Sequence, residues 1–225
     1  MPSTVSGPPV RIAALGSGSG TTVARLVEAA GSTVHAEIGL VISNNSRSRV
    51  ITRARQAGVP TLHLSGVTHP GPAELDAAMA DALASADTDL IVLAGYMKRL
   101  GPRTLERWRG RVVNTHPALL PAYGGVGMYG DRVHSAVLSD GARWTGASIH
   151  LVTEGYDEGP VLAQVEVPVE PDDDVASLRS RVQEAEKDLL VTWLAKRCAS
   201  TSRGADKAYS SKAIRDLLRR RGTRP

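Results

Sequence analysis

Val10-Arg11-Ile12-Ala13-Ala14-Leu15-Gly16-Ser17-Gly18-Ser19-Gly20-Thr21-Thr22 passes from an apolar run through alternate glycines into a stretch with helical periodicity. The apolar run predicts a strand over residues 10–15, the glycines break it, and Thr21 opens a helix over 21–30. The same alternation continues. Strands are expected at 36–42, 61–64, 90–93 and 111–114, and helices at 47–57 and at 73–86, the latter introduced by Pro70-Gly71-Pro72. Short strands alternating with helices predict an α/β fold, a mostly parallel twisted sheet flanked by helices. After a loop over 117–130 and a helix over 131–138 the pattern changes: strands at 147–152 and 161–169 are close enough to pair as a hairpin-like unit. The sheet should therefore be mixed at its C-terminal part, with a helix over 175–195 completing the body.

A glycine loop between a strand and a helix is suited to an anion, because the first backbone N–H groups of the helix lack internal partners and the helix dipole favours negative charge. Gly18 and Gly20 let the backbone approach a phosphate, and Ser19, Thr21 and Thr22 add hydroxyl donors. The alternative is a structural turn in which Thr21 or Thr22 caps the helix. A dinucleotide fingerprint fails, since Thr21 or Val23 stands where its last glycine should be and Ser43-Asn44-Asn45 supplies no acidic ribose partner. A nucleotide P-loop fails for want of Gly-Lys-Ser/Thr.

The 225 residues suffice for one sizeable domain over 10–200, preceded by a flexible segment over 1–9 and followed by a basic tail over 201–225. With no Phe and only 4% aromatics, the core must be built from Ala, Val and Leu. The formal charge of +4 belongs to the tail, where eight Lys/Arg face only Asp206 and Asp216, leaving the body at −2. That location argues against nucleic-acid binding, and residues 214–221 read as a short solvated helix or a frayed end. Cys198 is the sole cysteine, so no intrachain disulfide forms. With no signal-like start and no 18-residue apolar run, a cytoplasmic protein without membrane partners is expected.

The chemistry lies further on, at Asn114-Thr115-His116-Pro117-Ala118-Leu119-Leu120-Pro121 and Tyr156-Asp157-Glu158-Gly159-Pro160. Taken singly, His116 reads as a structural side chain and Asn114 or Asp157 as a turn former. Together, at strand ends and the loops that follow, an amide, an imidazole and a carboxylate can hold an oxyanion and move a proton.

This constellation resembles the folate-dependent formyltransferases, and the likeness runs from about Arg11 to about Leu194 through Ser17–Thr22, Ser43-Asn44, Leu93-Ala94-Gly95-Tyr96-Met97 and Gln183-x-x-Glu186. The resemblance implies transfer of a formyl group from 10-formyltetrahydrofolate to the primary amine of glycinamide ribonucleotide, the third step of purine synthesis, with no metal. It implies that Gly18, Ser19, Gly20, Thr21 and Thr22 bind the substrate phosphate, and that Gln183 and Glu186 contact its amide and amine. Met97, Lys98, Arg99 and Leu100 would hold the pteridine, with Val152, Thr153 and Asp157 closing the other side. Asn114 would then donate to the oxyanion, His116 would donate and carry the proton, and Asp157 would orient the histidine. His116 is expected to act partly as imidazolium beside Asp157. From spacing alone, Gln183 and Glu186 share a helix face and read as solvated.

The match departs from the family pattern at three places. Thr22 replaces the usual Asn; Tyr123–His134 replaces a Tyr/Phe-Pro-Gly-x-His form with a Gly-Met-Tyr-Gly variant; and no arginine for the folate tail stands near His69–Pro72. The related methionyl-tRNA formyltransferases carry a second domain that 25 tail residues would not supply, and the formyltetrahydrofolate hydrolases an extra N-terminal one. Two alternatives stay open: a paralogue acting on another small amine, and a non-catalytic phosphate- or nucleotide-binding regulator. Small molecules are the expected partners, with a homodimer left open.

Overall fold

The computed structural model describes residues 7–199, so the basic tail at 201–225, the helix reading at 214–221 and the first six residues lie outside the described residues. The fold is α/β as expected, with a seven-stranded sheet among the described residues. The described residues form two compact units, 7–112 with 194–199, and 113–193.

The first unit contains β1 (Val10–Leu15), α1 (Thr21–Ala29), β2 (Ala36–Ser43), α2 (Arg49–Gln56), β3 (Thr61–His63), α3 (Pro72–Ser85), β4 (Leu90–Leu93) and α4 (Pro102–Arg107). β1 pairs in parallel with β2 and β4, and β2 with β3. Ile12, Leu15, Val41, Ile42, Ile91 and Val92 are almost wholly buried, the near-continuous apolar character that parallel strands covered on both faces require. α4 has no counterpart in the sequence reading. Gly101 and Pro102 begin it, and its N-terminal donors are capped from another helix: Asp76 of α3, itself buried, accepts from Arg103 N–H (2.8 Å), Thr104 N–H (3.0 Å) and the Thr104 hydroxyl (2.7 Å).

The second unit holds most of β5 (Val112–His116) and of α6 (Val175–Ala199), together with α5 (Asp131–Ser139), β6 (Trp144–Leu151) and β7 (Val161–Pro168). β6 runs antiparallel to both β5 and β7, so the sheet is mixed where the short connection predicted it. Val137, Val167, Leu178 and Val182 form a buried cluster with Tyr123 and Ala142 against it, a core of small aliphatic groups as the lack of Phe requires. One boundary matters for function. β5 continues to His116 rather than stopping at 114, so Asn114 and His116 belong to the strand itself.

Candidate active site

Side chains alternate across a strand, so Asn114 and His116 leave β5 on one face while Thr115 leaves on the other. The antiparallel register sets Asn114 opposite His150 and His116 opposite Ser148, which adds two polar groups of β6 to the same face. Ser148 and β7's Gln164, paired in register, hold the Pro-rich loop that follows β5. The Ser148 hydroxyl donates to Ala118 O (2.6 Å) and accepts from Leu120 N–H (3.0 Å) and Gln164 Nε2–H (2.8 Å); Gln164 also donates to Leu120 O (3.1 Å). The loop's polar backbone is thereby satisfied inside the protein.

Asp157 reaches the site from the connection between β6 and β7. Its backbone sits in the left-handed region (φ 55), which a short carboxylate side chain tolerates better than most. Two residues on, a Cβ on buried Gly159 would overlap the Leu151 carbonyl, so only glycine lets the chain return so close to β6. Gly159→Ala should therefore cost about 1–3 kcal/mol as the connection is forced outward. A lower urea midpoint with an unchanged slope would register this, and a wild-type midpoint would contradict it.

The carboxylate ends between two imidazoles, Oδ2 lying 3.5 Å from His116 Nδ1 and Oδ1 3.3 Å from His150 Nε2, while Gly125 N–H donates to Oδ2 (3.0 Å). His116 Nε2 donates to Tyr123 O (2.7 Å) and His150 Nδ1 to Leu151 O (3.0 Å), which fixes both rings. The Asn114 carboxamide nitrogen lies 3.0 Å from His150 Nε2. With Nδ1 as the donor, Nε2 of a neutral His150 accepts one amide hydrogen and leaves the second free for another acceptor. A proton on Nε2 would instead make His150 a donor to Asp157 and turn the carboxamide over, so these two arrangements differ by one proton.

Burial pushes the Asp157 carboxyl up, but the neighbouring His150 and His116 and the Gly125 N–H outweigh it and hold the group below the usual carboxylate range. His116 moves the other way from expectation. Its burial outweighs the pull of Asp157 and keeps its pKa below the ordinary histidine value of 6.5, so the imidazolium expectation is corrected to a neutral ring at rest. The contact with Asp157, at 3.5 Å, is also long for a charge-assisted hydrogen bond. The unfolded chain binds His116's proton more readily than the native protein, so this group's contribution to stability is full above 6.5 and lost as pH falls through the native pKa. The His116 ring protons in an NMR titration should show a midpoint below 6.5, and a midpoint above it would contradict the burial argument.

Glu186 departs from the solvated reading: it is buried and accepts the Thr115 hydroxyl (2.9 Å), which ties α6 to β5. Gln183 is exposed as that reading had it. In the first unit, Gly20 occupies the N-cap of α1 in the left-handed region (φ 73) with no side-chain cap, which disposes of Thr21 or Thr22 as the cap. A Cβ on Gly20 would lie 2.7 Å from Val50 Cα, so glycine is required twice over. Gly18 and Ser19 are exposed, and Thr21 and Thr22 partly so. Of the 97–100 segment, Met97, Lys98 and Arg99 are exposed and Leu100 is buried; Val152 is half-buried and Thr153 exposed. Among the described residues no group of three His, Cys, Asp or Glu is arranged to hold a metal, and no helix is long and apolar enough to cross a membrane.

His150, Ser148 and Gln164 are the site residues that sequence reading missed. The available signal was a histidine inside the apolar run 147–152, whose relation to Asn114 needs the strand register.

A strand-end amide and imidazole thus face a loop carboxylate, and the chain belongs to the formyl transferase family, whose pattern matches residues 10–194. Among its relatives is the phosphoribosylglycinamide formyltransferase of Mycobacterium tuberculosis, 38% identical over 187 residues that cover 83% of this chain and 84% of that protein. The trifunctional purine biosynthetic protein adenosine-3 of Drosophila melanogaster is 39% identical over 179 residues, 78% of this chain but only 13% of that much longer protein. Solved structures agree: glycinamide ribonucleotide transformylase 1 from Symbiobacterium toebii is similar with a TM-score of 0.78 and 34% identity, covering 84% of this chain and 87% of that one. The Coxiella burnetii phosphoribosylglycinamide formyltransferase gives a TM-score of 0.79 at 32% identity, with 85% and 88% covered.

Proposed function

We propose that this protein transfers the formyl group of 10-formyltetrahydrofolate to the primary amine of glycinamide ribonucleotide in de novo purine biosynthesis, acting in the cytoplasm through one domain over 10–200. The observation that carries the reading is the Asp157 carboxylate between His116 and His150, with the Asn114 amide directed by His150. The names of the relatives supply the acceptor and the pathway.

In this reading the neutral amine attacks the formyl carbon, a C–N bond forms, and the carbonyl electron pair moves onto oxygen. The free hydrogen of the Asn114 amide donates to that oxyanion. The new ammonium loses its proton to His116, which starts neutral and becomes an imidazolium facing Asp157. The carboxylate too weak to charge the resting ring stabilises it once the reaction supplies the proton. Collapse of the intermediate expels the folate nitrogen, to which His116 returns the proton. Gly18, Ser19, Gly20, Thr21 and Thr22 hold the acceptor's phosphate, Gln183 and Glu186 its amide end, and Met97, Lys98, Arg99, Leu100, Val152 and Thr153 the folate.

The test is to supply 10-formyltetrahydrofolate and glycinamide ribonucleotide and follow the absorbance of the tetrahydrofolate product. Turnover supports the reading. Turnover with other amines alone transfers it to a paralogue, and binding of both ligands without turnover replaces it with a regulator.

A further inference from the structure

Ser17 is placed where the first unit's strands end, and its hydroxyl is used in both directions. It donates to Asn44 Oδ1, just past β2, at 2.5 Å, and accepts the Met97 N–H, just past β4, at 2.8 Å. Its own N–H donates to Gly95 O (3.0 Å), and the neighbouring Gly16 N–H to Ile42 O (3.1 Å). One small side chain thus joins the segments that follow three parallel strands, and two of those segments contain the glycine loop at 18–22 and the exposed stretch at 97–99.

The Asn44 end of this link is itself rigid. The buried hydroxyl of Ser43 accepts from the Ser48 hydroxyl (2.9 Å) and from Asn45 N–H (3.2 Å). Ser48 is the N-cap residue of α2, and Val50 in the first turn of that helix lies against Gly16 and Gly20. Met97, by contrast, lies outside regular structure, and its backbone N–H donates to a side chain, the Ser17 hydroxyl. A hydroxyl is needed here because the same atom must give one hydrogen and receive another, which neither Ala nor a carboxylate can do.

We infer that Ser17 is a positioning residue that couples the two substrate subsites, so that ordering of the glycine loop by a phosphate-bearing acceptor pre-sets the 95–97 backbone for the folate. The inference rests on the proposed function for the identity of the two ligands. The coupling is reciprocal: folate bound at 97–100 strengthens phosphate binding by the same factor. Ser17 touches neither reacting atom, so its loss should separate the two binding events while leaving the Asn114, His116 and Asp157 group untouched.

Calorimetry with tetrahydrofolate and glycinamide ribonucleotide tests this, since that pair has no formyl group to transfer. In the wild type, saturating glycinamide ribonucleotide should lower the Kd for tetrahydrofolate by at least about 5-fold. In Ser17→Ala that factor should fall to about 1, and Ser17→Thr, which keeps the hydroxyl, should restore it. Asn44→Ala removes the same link from its other end and should behave as Ser17→Ala does, which keeps the test valid if either variant folds poorly. Glycinamide ribonucleotide alone should also slow hydrogen exchange at the Met97 amide in the wild type and not in Ser17→Ala. Equal coupling in the wild type and in Ser17→Ala overturns this inference alone. A wild type that binds neither ligand overturns the functional reading and the inference with it.

Discussion

Replacing Asp157 by Asn is expected to lower kcat for formyl transfer by about 10²–10⁴, while thermal unfolding remains close to wild type. The substitution keeps the size of the side chain, and Asn is the residue best able to share the left-handed backbone seen at 157 (φ 55). Its carbonyl oxygen can still accept the Gly125 N–H, so the link to the loop after β5 survives. What disappears is the negative charge. In the proposed mechanism His116, whose pKa burial keeps low, needs that charge only when it takes up a proton, so the loss should fall on kcat far more than on KM. A variant with near-wild-type turnover would remove Asp157 from the mechanism, and one that loses activity together with its fold would assign it a structural role.

The second large effect concerns Asn114. Asn114→Ala should reduce kcat by about 10²–10³, the usual consequence of deleting one oxyanion donor. His150 lies 3.0 Å from the Asn114 carboxamide nitrogen, and in the proposed mechanism it decides which end of the carboxamide faces the substrate. His150→Ala should lose much of the same activity although His150 need not touch the oxyanion. The double variant should then be little worse than Asn114→Ala alone, since the amide that His150 orients is already gone. Losses that multiply would mean the two residues act independently, and the role of His150 as an orienting group would fall.

Local pattern carried a great deal here. The strand at 10–15 and the helix from Thr21 were legible because apolar period, glycine breaks and helix-opening residues all act within one turn of chain. The antiparallel pair at the C-terminal end was legible because only a short connection separates β6 from β7. α4 was not, since the acid that caps it is Asp76, 27 residues before Arg103 in the chain. Asn114, His116 and Asp157 could be singled out because polar groups at the ends of apolar runs are conspicuous in a sequence. His150 could not, because a histidine within a strand has no stated neighbour until the register with β5 is known.

The order of residues was thus enough to specify the α/β class, the glycine loop and the three polar groups of the site, all of which follow from periodicity and residue type over a few neighbouring positions. Their protonation was not within its reach. Whether His116 rests neutral or charged depends on how far burial outweighs one carboxylate at 3.5 Å, and burial is a property of everything packed around the ring. The same holds for the buried Glu186 and for the orientation of the Asn114 amide, which are set by partners from distant parts of the chain.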